Sequence, residues 1–239
     1  MRVRARVSWA PKAGNSEEEY EDAFWPPRNL DARVRGFRCA VADGATESSF
    51  AGLWARLLVH AYCRRQLDGK RRDRTLARLG GEWRAQASSG PLPWYAEQKL
   101  EQGSFSSLLG LRVDEGGRWS ALAVGDTCLF HLRREHICCA FPLQVSSEFN
   151  NSPTLIASSV GRNRGLDHCM HHVAGDWQRG DAFLLMTDAI ACWYLRCIEA
   201  GSRPTIPRRL TSFGPWLSAL RRDGSVRNDD TTIVRVEML

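Results

Sequence analysis

An apolar strand that delivers an Asp-Gly pair to the start of an amphipathic helix constrains this chain most, and it lies in VADGATESSF at residues 41 to 50. Asp43 and Gly44 sit at the corner. The segment near 34 to 42 reads as the strand, and the one from about 47 to 66 places Phe50, Leu53, Trp54, Leu57, Leu58, Ala61 and Tyr62 on one helical face. Thr46 is the expected N-cap. Three more apolar stretches meet an acidic residue in the same way: YEDAF at Asp22, FLLMTDA at Asp188, and NDDTTIV at Asp229 and Asp230. One Asp at a strand end is an ordinary turn or cap residue. Several carboxylates gathered at one place would raise one another's pKa unless cations neutralised them, so four such corners point to one metal site. Oxygen donors without a matching His or Cys set favour Mg²⁺ or Mn²⁺ over Zn²⁺.

Taken in chain order, these strings resemble the metal-dependent Ser/Thr protein phosphatases of type 2C, over nearly the whole chain. EDAF at 21 to 24 is similar to the family's first acidic motif, VADG at 41 to 44 to its central metal motif, and AVGDTCLFHLR at 123 to 133 to its Gly-Asp-Ser strand pair. GDAFLLMTDAI at 180 to 190 looks like the strand carrying the second metal Asp, and DDTTIVRV at 229 to 236 like the closing strand. The resemblance implies an α+β fold, a four-layer sandwich of two antiparallel β-sheets flanked by α-helices. It also implies two Mg²⁺ or Mn²⁺ ions in a cleft between the sheets, bridged by Asp43. Gly44 would lend its carbonyl to one ion, and Asp188 and Asp229 would hold the other. Glu21 and Asp22 would orient water from just outside the ligand set. Asp126 stands where some members carry an accessory metal ligand, and a Gly-Asp hairpin turn accounts for it equally well. Adjacent strand residues face opposite ways, so Asp229→Asn is expected to lose metal affinity while Asp230→Asn changes little.

The chain departs from the family pattern in several places. Ala45, Thr46 and Glu47 replace a glycine pair after Asp-Gly, Ala189 stands where Gly usually follows the second metal Asp, and Asp230 stands where Asn is usual. The stretch before the first acidic motif reads SEEEY, without the phosphate-clamping Arg of some members, so Arg4 or Arg6 would have to substitute.

At 239 residues and 43% hydrophobic, the chain is long enough to bury a large core, and residues 1–239 are expected to form one domain. No apolar run approaches a membrane span, and MRVRARVSW lacks a signal-peptide core, so a cytoplasmic protein without membrane contact is expected. Eight cysteines with no CxxC pair read as reduced core residues. Cys128 and Arg134 form a literal C-x5-R, but LFHLR alternates like a strand, whereas thiolate phosphatase chemistry needs a phosphate-wrapping loop at a helix N-terminus. His168, His171 and His172 read as structural, because His171 and His172 would face opposite sides of a strand. The net charge of +6 is almost wholly arginine, densest in RRQLDGKRRDR at 64 to 74. That cluster lacks interleaved aromatics, reads as a solvated helix end and turn, and gives no nucleic-acid partner.

Further elements follow the same periodicities. A second helical region spans roughly 73 to 102, interrupted by SSGPLP at 88 to 93. Strands are expected near 2 to 9, 105 to 114, 118 to 125, 127 to 133, 136 to 141, 168 to 174, 182 to 187 and 231 to 238. Residues 142 to 167 read as a surface flap, and PRRLTSFGPWLSALRR as one interrupted helix. The resemblance implies hydrolysis of protein phosphoserine or phosphothreonine by metal-activated water, in a monomer whose partners are a phosphoprotein substrate and a Ser/Thr kinase. A non-catalytic phosphatase-fold binding module is the alternative, and a small-molecule phosphomonoesterase a third.

Overall fold

The structure of the chain, a computed structural model, describes residues 1–46, 48, 50–89, 100–150, 152–207 and 210–239. Strand β1 (Arg2–Ala10) buries Val3, Ala5 and Val7 and turns Arg2, Arg4 and Arg6 the other way, as strand alternation requires. It belongs to a six-stranded antiparallel sheet ordered β3 (Leu30–Arg33), β1, β13 (Thr231–Met238), β12 (Ala182–Met186), β8 (Cys128–Arg133) and β9 (His136–Phe141). A second antiparallel sheet is ordered β11 (His171–Asp176), β7 (Arg118–Val124), β6 (Leu108–Asp114), β4 (Gly36–Ala42) and β2 (Ala23–Trp25). A short pair joins β5 (Phe105–Ser106) to β10 (Ile156–Ala157).

The two sheets pack face to face through Val3, Cys39, Val41, Leu111, Phe183 and Val234, among others. On the outer face of the second sheet lie α1 (Ala51–Cys63) and α2 (Arg72–Ala87), held by Trp54, Leu58, Leu79 and Trp83. On the outer face of the first lie α3 (Asp188–Glu199) and α4 (Leu210–Arg222), held by Ile190, Tyr194, Phe213 and Leu217. This is the expected four-layer sandwich. Strand β12 is buried at all five positions because helices cover one side of it and the second sheet the other, which is why FLLM shows no alternation.

Tyr62 reaches the sheet only because residue 110 is glycine: a Cβ there would lie 2.1 Å from the ring. Gly110→Ala is therefore expected to cost about 1–3 kcal/mol through overpacking, read as a lower urea midpoint at unchanged slope.

Four expectations are corrected. Helix α1 starts at Ala51 rather than near 47, because Phe50 adopts a left-handed conformation (φ 55°) through which a helix cannot run, so Thr46 is not the cap. Glu47 and most of SSGPLP lie outside the described residues. The segment 142–167 is not simply a flap: Ile156 and Ala157 are buried, and the Trp54 indole N–H donates to the Ile156 carbonyl at 2.8 Å. Helix α4 runs unbroken through Pro215, held down by buried Phe213 and Leu217, with Arg208 and Arg209 outside the described residues. Strands β2 and β3, three and four residues long, were too short to show a period. No helix among the described residues is long and apolar enough to cross a membrane.

Candidate metal centre

Antiparallel pairing brings five chain segments to one end of the sandwich. Asp43 follows β4, Asp188 follows β12, Asp229 and Asp230 precede β13, Glu21 and Asp22 precede β2, and Asp126 lies in the β7–β8 turn. A cavity of about 710 Å³ opens there, lined by Asp43, Gly44, Asp126, Asp188 and Asp229 together with Lys12 and Arg227.

Each acidic group is fixed by a specific contact. The Asp43 N–H donates to Ser107 Oγ at 2.9 Å, and Ser107 Oγ lies 2.5 Å from Thr127 Oγ1, tying β4 to the β7–β8 turn. Thr232 Oγ1 donates to Asp22 Oδ2 at 2.6 Å and also contacts the Tyr20 hydroxyl. The other oxygen of Asp22, Oδ1, is buried with no partner among the described residues. Thr187 Oγ1 accepts from the Thr232 N–H at 2.9 Å, and Asp188 opens α3 with its Oδ1 accepting from the Ala189 N–H. Gly44 has no room for a side chain: a Cβ would lie 2.7 Å from the Glu21 carbonyl oxygen and 2.9 Å from Ala51. The first two acidic motifs are thus packed backbone to backbone.

Asp230 turns away from the cavity. Its carboxylate accepts the Lys12 N–H at 2.7 Å and the Glu21 N–H at 2.6 Å, clamping the segment before β2. Sequence reasoning missed this clamp, and it also missed Arg227, whose Nη2 lies 2.5 Å from Asp188 Oδ2 and 2.7 Å from Asp229 Oδ2. An arginine within RNDD carries no periodic signal.

Burial first, and then the neighbouring carboxylates, raise the Asp22 and Asp43 pKa values well above the usual range. Burial raises Asp188 too, against the opposing pull of Arg227. Glu21 is pushed up to about 7 by burial and then by Asp230, and Asp126 to about 7 by burial and then by Asp188. The donor set fits hard divalent cations: it is all oxygen, anionic, mutually repelling, and leaves one buried oxygen of Asp22 unsatisfied. Among the described residues no three acidic, His or Cys side chains yet close on a single point. The Arg227 guanidinium lies between two of them.

These shifts give the metal-free protein a pH dependence. Carboxyls raised in the folded state keep protons that the unfolded chain has released, so stability is full below the unfolded values and falls as pH rises toward about 7. His60, lowered by burial, opposes this over part of the range. With chelator present, Tm is expected to be lower at about pH 7.5 than at about pH 5.5, and Asp126→Asn should flatten that slope. Saturating Mn²⁺ should raise Tm most at the higher pH, because protons and metal compete for the same oxygens. A thermal scan across pH checks both.

The other sequence candidates lie elsewhere. Arg4 and Arg6 do not serve the cleft: Arg4 pairs with Asp31, both approach Glu237, and both line a separate cavity on the first sheet. Cys128 is buried in β8 with its thiol raised far above the ordinary range by burial, so C-x5-R forms no thiolate site. All eight cysteines are free, but only Cys39 and Cys128 are buried and Cys138 is exposed, so the expectation of core residues is corrected for the other six. His168, His171 and His172 are exposed side chains rather than core residues.

A family model described as Protein phosphatase 2C matches residues 20–228, beginning just before Glu21 and ending just before Asp229. Sequence comparison with curated proteins gives no match. Among solved structures, the serine/threonine phosphatase PstP/Ppp of Mycobacterium tuberculosis superposes with a TM-score of 0.64 at 16% identity, over 100% of this chain and 99% of that one. PppA, described as a key regulatory component of T6SS in Pseudomonas aeruginosa, gives 0.59 at 19% identity, over 100% and 99%. A PstP catalytic domain in complex with two manganese ions gives 0.55 at 16% identity, over 98% of each chain. At these identities the likeness is one of fold.

Proposed function

Because the chain belongs to the protein phosphatase 2C family, we propose that it hydrolyses phosphoserine and phosphothreonine in proteins with the help of two Mg²⁺ or Mn²⁺ ions. The observation that carries this reading is the cleft at one end of the sandwich where Asp229 lines the wall and burial, followed by neighbouring carboxylates, raises the pKa values of Asp22, Asp43, Asp126 and Asp188. Asp43 and the Gly44 carbonyl would hold one ion, and Asp43, Asp188 and Asp229 the other, with Asp126 available to a third. Bound divalent ions supply charge stabilisation for the phosphoryl oxygens and a nucleophilic water at neutral pH.

The chain's own residues do the rest. Glu21 and Asp22, just outside the ligand set, orient water by accepting its hydrogen bonds, and the Thr232 hydroxyl holds Asp22 in place for this. Arg227 and Lys12 are the cationic residues at the cavity wall, where a phosphate dianion would enter. Arg227 presents a planar fork suited to two phosphoryl oxygens, which takes the part that Arg4 and Arg6 are too far from the cleft to play.

The same arginine supports a second reading. Its Nη2 sits against both Asp188 and Asp229 and offsets part of their charge without metal, which suits a phosphatase-fold module that binds a phosphoprotein and does not turn it over. Hydrolysis of a phosphothreonine peptide, with and without Mn²⁺ and with chelator, separates the two. Turnover that requires Mn²⁺ supports the enzyme. Peptide binding without turnover at saturating Mn²⁺ supports the module, and full turnover in chelator overturns both.

A further inference from the structure

On the second sheet, beyond the C-terminal end of α1, a groove of about 680 Å³ shares no lining residue with the carboxylate cleft. Five arginines line it: Arg28, Arg35, Arg38, Arg65 and Arg112. Arg38 is committed, with Nη2 on Asp68 at 2.7 Å and its guanidinium over the Tyr62 ring. Among the described residues the other four have no ion-pair partner. The acidic residue lining the groove, Asp114, is turned into its own hairpin, where it accepts the Gly116 and Arg118 N–H groups.

Two features run against folding preference. Arg38 and Arg112 stand directly opposite each other on neighbouring antiparallel strands, a placement in which like charges repel. Arg65, directly after the residue that caps α1, has φ 61°, the left-handed position of a helix-end closure in which the Arg65 and Gln66 N–H groups donate to the Tyr62 and Ala61 carbonyls, and an arginine stands there in place of the more relaxed glycine. Asp68 offsets the charge of Arg38, so the cationic groups the groove leaves for an anionic ligand are Arg28, Arg35, Arg65 and Arg112.

We propose that this groove docks an acidic, extended polypeptide segment of a partner protein. The walls supply apolar contacts from Trp25, Pro26, Leu30 and Phe37, while the arginines meet carboxylates spaced along the segment. Among the described lining residues the aromatic rings are Trp25 and the buried Phe37, short of the row of stacking faces that single-stranded nucleic acid uses. The inference is independent of catalysis, so its test is run in chelator.

A fluorescein-labelled glutamate-rich peptide and its glutamine counterpart are titrated against the full chain by anisotropy at two salt concentrations. The glutamate peptide should bind more tightly than the glutamine one. The Arg65→Gly, Arg112→Gln double variant should weaken that binding about tenfold and reduce its salt dependence. The double variant should melt at or above the wild-type Tm, because it relaxes a left-handed position and removes a like-charge pair, and Arg28→Gln with Arg35→Gln provides a second variant that alters no sheet residue. Equal binding of the two peptides, undiminished binding by both variants, or tighter binding of single-stranded DNA than of the glutamate peptide would each overturn the proposal.

Discussion

Asp43→Asn is expected to reduce phosphopeptide turnover by more than about 100-fold while leaving the fold intact. Residues outside a ligand set cost about 10- to 100-fold when lost, and Asp43 is proposed to lie inside it. The amide is isosteric, so the Asp43 N–H to Ser107 Oγ bond and the bonds that the Ser106 hydroxyl and Ser107 N–H donate to the Asp43 carbonyl are kept. Its neutral oxygen bridges two cations poorly. The change also removes one of the repelling carboxylates, so the metal-free variant should melt at a higher temperature than wild type near neutral pH. Lower activity with higher metal-free Tm is a pairing that simple damage to the fold does not produce. Near-wild-type turnover at saturating Mn²⁺ would remove Asp43 from the site.

The doubled acid before β13 gives the second large effect. Asp229→Asn should weaken Mn²⁺ binding at least about tenfold by calorimetry, since Asp229 lines the cavity. Asp230→Asn, expected from sequence to be mild, should instead destabilise the protein by about 1–3 kcal/mol. The Lys12 and Glu21 N–H groups reach different oxygens of Asp230, and in asparagine one of those oxygens becomes an NH₂ that faces a donor. Glu21 is displaced as a result. If Asp230→Asn lost the metal and Asp229→Asn lost stability, the roles of the two would be exchanged.

What could be read from the sequence follows from what leaves a local pattern. Asp22, Asp43 and Asp188 were legible because each ends or begins an apolar run, and the topology carries all three to one end of the sandwich. The α+β class was legible from runs of strands flanked by helices and from the apolar face of α1, while the four-layer sandwich was what the family resemblance implied and the sheet order bears out. Arg227 was not, because its role depends on where two distant aspartates end up. The start of α1 was not, because the left-handed turn at Phe50 is set by the backbone contacts around Ala45 and Ser48 rather than by a cap signal. The clamp by Asp230 was hidden because its partners are N–H groups more than 200 positions away, which no spacing rule reaches.

Strand β13 lies in the interior of the first sheet, paired with β1 on one side and β12 on the other. During synthesis the N-terminal strand therefore leaves the ribosome more than two hundred residues ahead of its principal partner. Until β13 arrives, β1 and β12 expose open edges and the apolar faces of Val3, Phe183 and Leu185. Pairings this distant in sequence close slowly. Because Asp229 and Asp230 arrive with β13, no partly made chain can carry the complete set of cleft carboxylates.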